Sequence, residues 1–156
     1  MRRLKRDVIV DIPESILLKN IGFDTIVQGI YVDDEYDECP IVSNIVLDNT
    51  RQRCQTAPNL GVVQRWLRDQ RGIHIDVRTN IDSVNQKFTY STIVYYPSKS
   101  HNNYQQYSED NIGYRVFDDY DEALEYGMLI GIKLIKGFDD YEKDWKSVKI
   151  KYNIAI

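Results

Sequence analysis

The side chains whose types could do chemistry are Cys39, Cys54, His74 and His101, the acidic run Asp33 to Glu38, and the arginines Arg51, Arg53, Arg65, Arg68 and Arg71. The cysteines and histidines match no zinc-finger or zinc-ribbon spacing, so metal is not expected on them. With only two cysteines and no Cys-x-x-Cys pair, a disulfide-stapled secreted framework is not expected either, and both read as reduced thiols. Within the acidic run, Asp33, Glu35 and Asp37 sit where the first three ligands of a calcium loop would be. Glu38 stands where such a loop needs glycine, however, and Asn44 where it needs glutamate. The run reads as a solvated turn.

Arg65, Arg68 and Arg71 recur at intervals of three and share one face of a predicted helix, with Arg51 and Arg53 just upstream. Guanidinia in such a stripe can bind phosphate, which makes these residues the candidate nucleic-acid or anion contact. The formal net charge of −4 argues the other way, since dedicated nucleic-acid binders are usually basic. There is no Gly-rich phosphate loop, nucleophile elbow or His-Glu-x-x-His motif, and no cofactor is implied. The 12 tyrosines are an excess, and Tyr95, Tyr96, Tyr104, Tyr107 and Tyr114 flank or occupy a stretch of Ser, Asn, Gln and Lys. Tyrosine in such company suits adaptable recognition, so Tyr104 and Tyr107 are candidate protein contacts.

These residues must be positioned by a chain of 156 residues, enough for one self-sufficient core. Three glycines, Gly22, Gly72 and Gly137, each close a helical pattern and precede a large apolar residue (Phe23, Ile73, Phe138), the signature of a left-handed helix end. The first helix is predicted over 13–21, fed by a strand at 8–12. Ile26 to Val32 and Ile41 to Leu47 read as a hairpin joined by the acidic turn. The second helix, from about Thr56 to Arg71, sets Leu60, Val62, Val63, Trp66 and Leu67 opposite the arginines. Ile73, Ile75 and Val77 alternate with His74, Asp76 and Arg78, and Phe88, Tyr90, Thr92, Val94 and Tyr96 alternate along a second strand. Asp82 to Gln86 turn between the two.

Residues 97–112 form a polar loop, Gly113 to Phe117 return as a short strand, and a third helix runs from Asp118 or Asp119 to Lys136 with Asp119 and Glu122 in capping-box spacing. Along it, Ala123, Gly127 and Gly131 make a ridge of small residues suited to close packing. Leu129 and Ile132 lie on its charged side among Glu122, Glu125, Lys133 and Lys136, which calls for cover from residues 138–156 or from a second copy of the chain. In that last segment a short helix is predicted near Asp140 to Trp145 and a strand at Val148 to Tyr152. The fold class expected is α+β: a mostly antiparallel sheet packed by three main helices, in a single domain spanning 1–156 after a basic start at 1–6. The amino terminus does not read as a signal peptide, and the longest apolar run, Met128 to Ile132, is too short to span a bilayer. A cytoplasmic location without membrane contact is expected.

The segments Pro13 to Phe23, Ala57 to Arg68 and Tyr120 to Gly127, with their shared helix punctuation, resemble an uncharacterised small-protein family of phages, prophages and mobile elements of gut Bacteroidota. The resemblance spans roughly 8–136 and excludes the acidic turn, the polar loop and the tail. It implies an accessory setting and supplies no catalytic residues. The expected function is therefore non-enzymatic: binding to an unknown protein partner, or self-association as a possible homodimer, with Leu129, Ile132, Tyr104 and Tyr107 as contacts. The alternatives are a nucleic-acid-binding module using the arginine face, or a small-molecule binder or enzyme with an unrecognised pocket.

Overall fold

The computed structural model describes residues 10, 12–24, 29–32, 35–38, 54–56, 58–98, 103–107 and 115–151. In chain order they form α1 (Ile12–Asn20), β1 (Gly29–Val32), β2 (Glu35–Glu38), β3 (Cys54–Thr56), α2 (Leu60–Arg71), β4 (His74–Asp82), β5 (Lys87–Pro97), β6 (Tyr104–Gln106), β7 (Val116–Phe117), α3 (Tyr120–Lys136) and α4 (Phe138–Lys151). The class is α+β, with antiparallel sheets packed by helices.

α1 ends as its glycine dictates. Gly22 takes φ +87°, which lets its N–H donate to Lys19 O and the Phe23 N–H to Leu18 O, both at 3.0 Å, and Phe23 is buried. The strand expected at 8–12 is not formed at its end, because Ile12 belongs to α1. Val10 is buried and its N–H donates to Pro58 O at 2.9 Å.

The first sheet corrects the expected hairpin. β1 pairs with the acidic segment itself, Val32 opposite Glu35 and Gly29 opposite Glu38, while residues 41–47 lie outside the described residues. The acidic segment joins the sheet although it lacks apolar residues, because strand pairing runs through backbone hydrogen bonds and needs no apolar partner. β3 pairs along the other side of β1, giving the order β2-β1-β3.

α2 opens at Asn59, whose side chain accepts the Gly61 N–H at 2.8 Å, and closes at Gly72. Directly after it, β4 and β5 form a long antiparallel hairpin paired without a bulge from His74 opposite Tyr95 to Asp82 opposite Lys87. β6 lies beside Tyr95 to Pro97 on the far side of β5, and β7 beside Tyr90 and Ser91.

α3 crosses one face of this hairpin, the face bearing Ile75, Val77, Thr92 and Val94. Its small-residue ridge makes the approach possible: a Cβ on Gly127 would lie 2.5 Å from Ile75 Cγ2 and 2.7 Å from Thr92 Cγ2. Thr92 Oγ1 donates to Ala123 O in the same contact. α1 and α4 pack on α3 as well, so that helix is covered on more than one side.

α4 replaces the short helix and strand expected at the end. Tyr141, Trp145 and Val148 recur at helical spacing and pack inward, which outweighs the β-preference of Val148 and its neighbours; Tyr152 lies outside the described residues. Burial, reinforced by the carboxylates of Glu14 and Glu142, pushes the Tyr141 phenol above its ordinary pKa. Among the described residues one core cluster joins Leu17, Phe23, Trp66, Leu67, Ile75, Val94, Met128, Ile132 and Tyr141.

Candidate functional site

The cover that α3 gives the β4–β5 hairpin stops short of its tip. Asp119 caps α3, accepting the Asp121 N–H at 2.8 Å, and the first helical residue, Tyr120, stands edge-on against Tyr90. β7 extends this last layer: Phe117 lies against Tyr126, and the Arg115 guanidinium stacks over both rings. Beyond Tyr90 the same sheet face continues with Ile81 opposite Phe88, and Val84 lies in the turn that follows. All three are exposed, at 75%, 62% and 87% respectively.

The turn itself is well built. Asp82 Oδ1 accepts the N–H groups of Val84 (3.0 Å) and Asn85 (3.1 Å), and Oδ2 accepts Asn85 Nδ2 at 2.7 Å. The Asn85 side chain foremost, then the backbone N–H groups and Lys87, hold the Asp82 carboxyl below its ordinary pKa. Lys87 in turn reaches Asp118 at 2.7 Å, tying the base of the turn to the start of α3; that carboxylate raises the Lys87 pKa. Gln86 closes the turn at φ +50°, a left-handed conformation. The apolar tip is thus presented on a defined hairpin.

One long edge of the hairpin is also open among the described residues. The Tyr107 N–H donates to Val94 O at 2.8 Å, so the backbone groups of Val94 point away from β4. Its register partner Ile75 must then point away from β5, and by alternation so must Val77, Thr79 and Ile81. Gln64 Nε2 donates to Ile75 O at 3.1 Å, which confirms that direction independently. Among the described residues no strand pairs with this edge.

The residues singled out by sequence do not assemble into one site. Arg65 is exposed on α2, Arg68 pairs with Asp69 at 2.9 Å, and Arg71 donates to Ile21 O while stacking over Trp66, 5.1 Å from the ring centroid. Two of the three guanidinia are thus occupied within the chain; Arg51 and Arg53 lie outside the described residues. Ile132 is completely buried and Leu129 half-buried against the core, because α3 is packed on more than one side; Ile132 presents nothing to a partner. α4 covers α3 with Lys133 over the Tyr141 ring and Lys136 paired to Asp144. Tyr107 is half-buried and stacked on Phe138, whereas Tyr104 is exposed and meets His74 edge-on.

Cys39, His101, Asp33 and Asp34 lie outside the described residues, and Cys54 lies in β3. Among the described residues, no group of three or more His, Cys, Asp or Glu side chains is placed to hold a metal ion, and no helix is long and apolar enough to cross a membrane. No family model, curated protein or solved structure matches the chain.

Ile81 and Val84 escaped the sequence reading, and Phe88 entered it only as one of the alternating residues of β5. The alternation that identifies β4 and β5 runs unbroken into Ile81 and Phe88, so both look like further core positions. What separates them is the length of the cover: α3 begins at Tyr120 against Tyr90, and three further residues of each strand lie beyond that pair.

Proposed function

We propose that this chain is a non-enzymatic accessory protein of phage or mobile-element origin that acts by binding another macromolecule, and that the distal end of the β4–β5 hairpin is its contact. The observation that carries this reading is the exposed apolar triplet Ile81, Val84 and Phe88. Apolar residues grouped on a well-defined turn beyond the core gain free energy only when something covers them. The engagement of Arg68 and Arg71 within the chain favours a protein partner over nucleic acid. The phage or mobile-element setting rests on the resemblance of the three helix segments.

The test is site-specific photocrosslinking in cells that naturally produce the chain. A photoreactive phenylalanine is placed at position 88 or 84, with position 150 on α4, itself exposed, as the control. Discrete protein adducts at 84 and 88 but not at 150 are expected. Absence of adducts at both hairpin positions contradicts the reading.

A further inference from the structure

The open edge of the same hairpin identifies a partner chemistry more closely than the apolar tip does. β4 is nine residues long, contains no proline and no bulge, and turns the backbone groups of Ile75, Val77, Thr79 and Ile81 outward. Proteins usually blunt such an edge by shortening, kinking or covering it. The other side of β5 is blunted in that way, by the three-residue β6, the two-residue β7 and Pro97 at the strand end. Among the described residues this edge is neither shortened, kinked nor covered by a strand, its charged side chains being its one guard, and an edge of this length is a template for one more strand.

Taking the binding reading of the hairpin as its basis, we propose that the added strand is β4 of a second copy, paired antiparallel about a two-fold axis through Val77. The outward groups allow a two-fold centre at any residue from Ile75 to Ile81, because the axis can pass through a hydrogen-bonded or a non-hydrogen-bonded pair. Centring on Thr79 sets Asp76 of each copy against Asp82 of the other, a like-charge pair made twice. Centring on Ile75 sets Asp76 beside His74 and leaves Arg78 opposite Gly72. Centring on Val77 sets Asp76 of each copy directly opposite Arg78 of the other, an opposite-charge pair made twice, at the closely spaced positions where cross-strand side chains interact most. Centring on Asp76 or Arg78 sets that charge against its own copy, and centring on Asn80 sets Arg78 opposite Asp82 but pairs only residues 78–82 of β4, with fewer still about Ile81, against residues 74–80 about Val77. Charge complementarity and length of pairing together therefore select Val77.

The same register sets exposed Ile81 opposite Ile73 of the second copy and Thr79 opposite Ile75, bringing part of the apolar tip against the partner sheet. The Ile75 carbonyl keeps a second lone pair when Gln64 bonds it, so that contact does not close the edge. Asp76 and Arg78 are both about half exposed, and they bond each other within the chain at 3.3 Å, so charge exchange at these positions leaves the core untouched.

The experiment is sedimentation equilibrium of the full chain, with circular dichroism to verify folding. Wild type is expected to be a dimer. Asp76→Arg and Arg78→Asp should each weaken self-association at least about ten-fold, since each turns two opposite-charge pairs into two like-charge pairs. Mixed together, these two variants should form a one-to-one heterodimer, because every cross-strand pair is then again opposite in charge. That rescue separates the contact between copies from the bond within one. A monomeric wild type at 100-fold the concentration used for the variants, or folded variants that fail to pair when mixed, overturns the dimer. If the monomer coincides with photoadducts to a different protein at 84 and 88, the binding reading stands and only its occupant changes.

Discussion

The base and the tip of the β4–β5 hairpin share a strand pair, a face and an alternation of apolar residues, yet they end in opposite environments. At the base, Ile75 and Val94 are buried beneath α3, with Gly127 removing the side chain that would hold the helix away. At the tip, Ile81 and Phe88 face each other in the same ladder with nothing described above them. The difference comes from where Asp119 starts the helix, not from the strands. Hydropathy reports that a face is apolar; the length of the covering element decides whether that face becomes core or contact surface.

The comparison breaks most severely at its base. Gly127→Val pushes branched carbon into Ile75 and Thr92, whose positions are fixed by the sheet, and should destabilise the chain by about 3 kcal/mol, read from the urea midpoint. Asp119→Ala removes the cap that sets the end of the cover. A loss of about 1 kcal/mol is expected in the same assay, with faster hydrogen exchange at Asp121 and Glu122. Phe88→Ser, an equally apolar position by sequence, should change stability by less than about 1 kcal/mol while abolishing the photoadducts at position 84.

The smallest effect concerns pH. The folded-state pKa of Asp82 is lowered from 3.8, so its contribution to the turn is complete above that value and is lost as pH falls through the lowered one. The Val84 and Asn85 amide resonances should therefore titrate below pH 3.8 and stop titrating in Asp82→Asn. An unshifted midpoint would mean that the turn is looser than its hydrogen bonds indicate.

Local signals carried far in the sequence. Gly22 and Gly72 end their helices, Asp119 caps α3, and the β4–β5 alternation with its turn at Asp82 to Gln86 appears where the pattern places it. What failed depended on non-local packing. Glu35 to Glu38 pairs with β1 through backbone bonds that hydropathy does not register, and Val148 is helical because Tyr141 and Trp145 share its inward face. Ile132 looked misplaced among charges only while α3 was imagined with one buried side. For the candidate site, the arginines and tyrosines were legible as residue types, but Arg71 is drawn to Ile21 O and Trp66, groups distant in sequence. Neither the exposed tip nor the open edge could be read without knowing where α3 lies.

The most direct measurement is residue-resolved hydrogen exchange along β4 as a function of protein concentration. His74, Asp76, Arg78 and Asn80 point their N–H groups into β5 and should be protected at every concentration, whereas Val77, Thr79 and Ile81 point theirs to the open edge. Protection of those three that rises with concentration is the result predicted for paired edges. Rapid, concentration-independent exchange at Val77, Thr79 and Ile81 would contradict it.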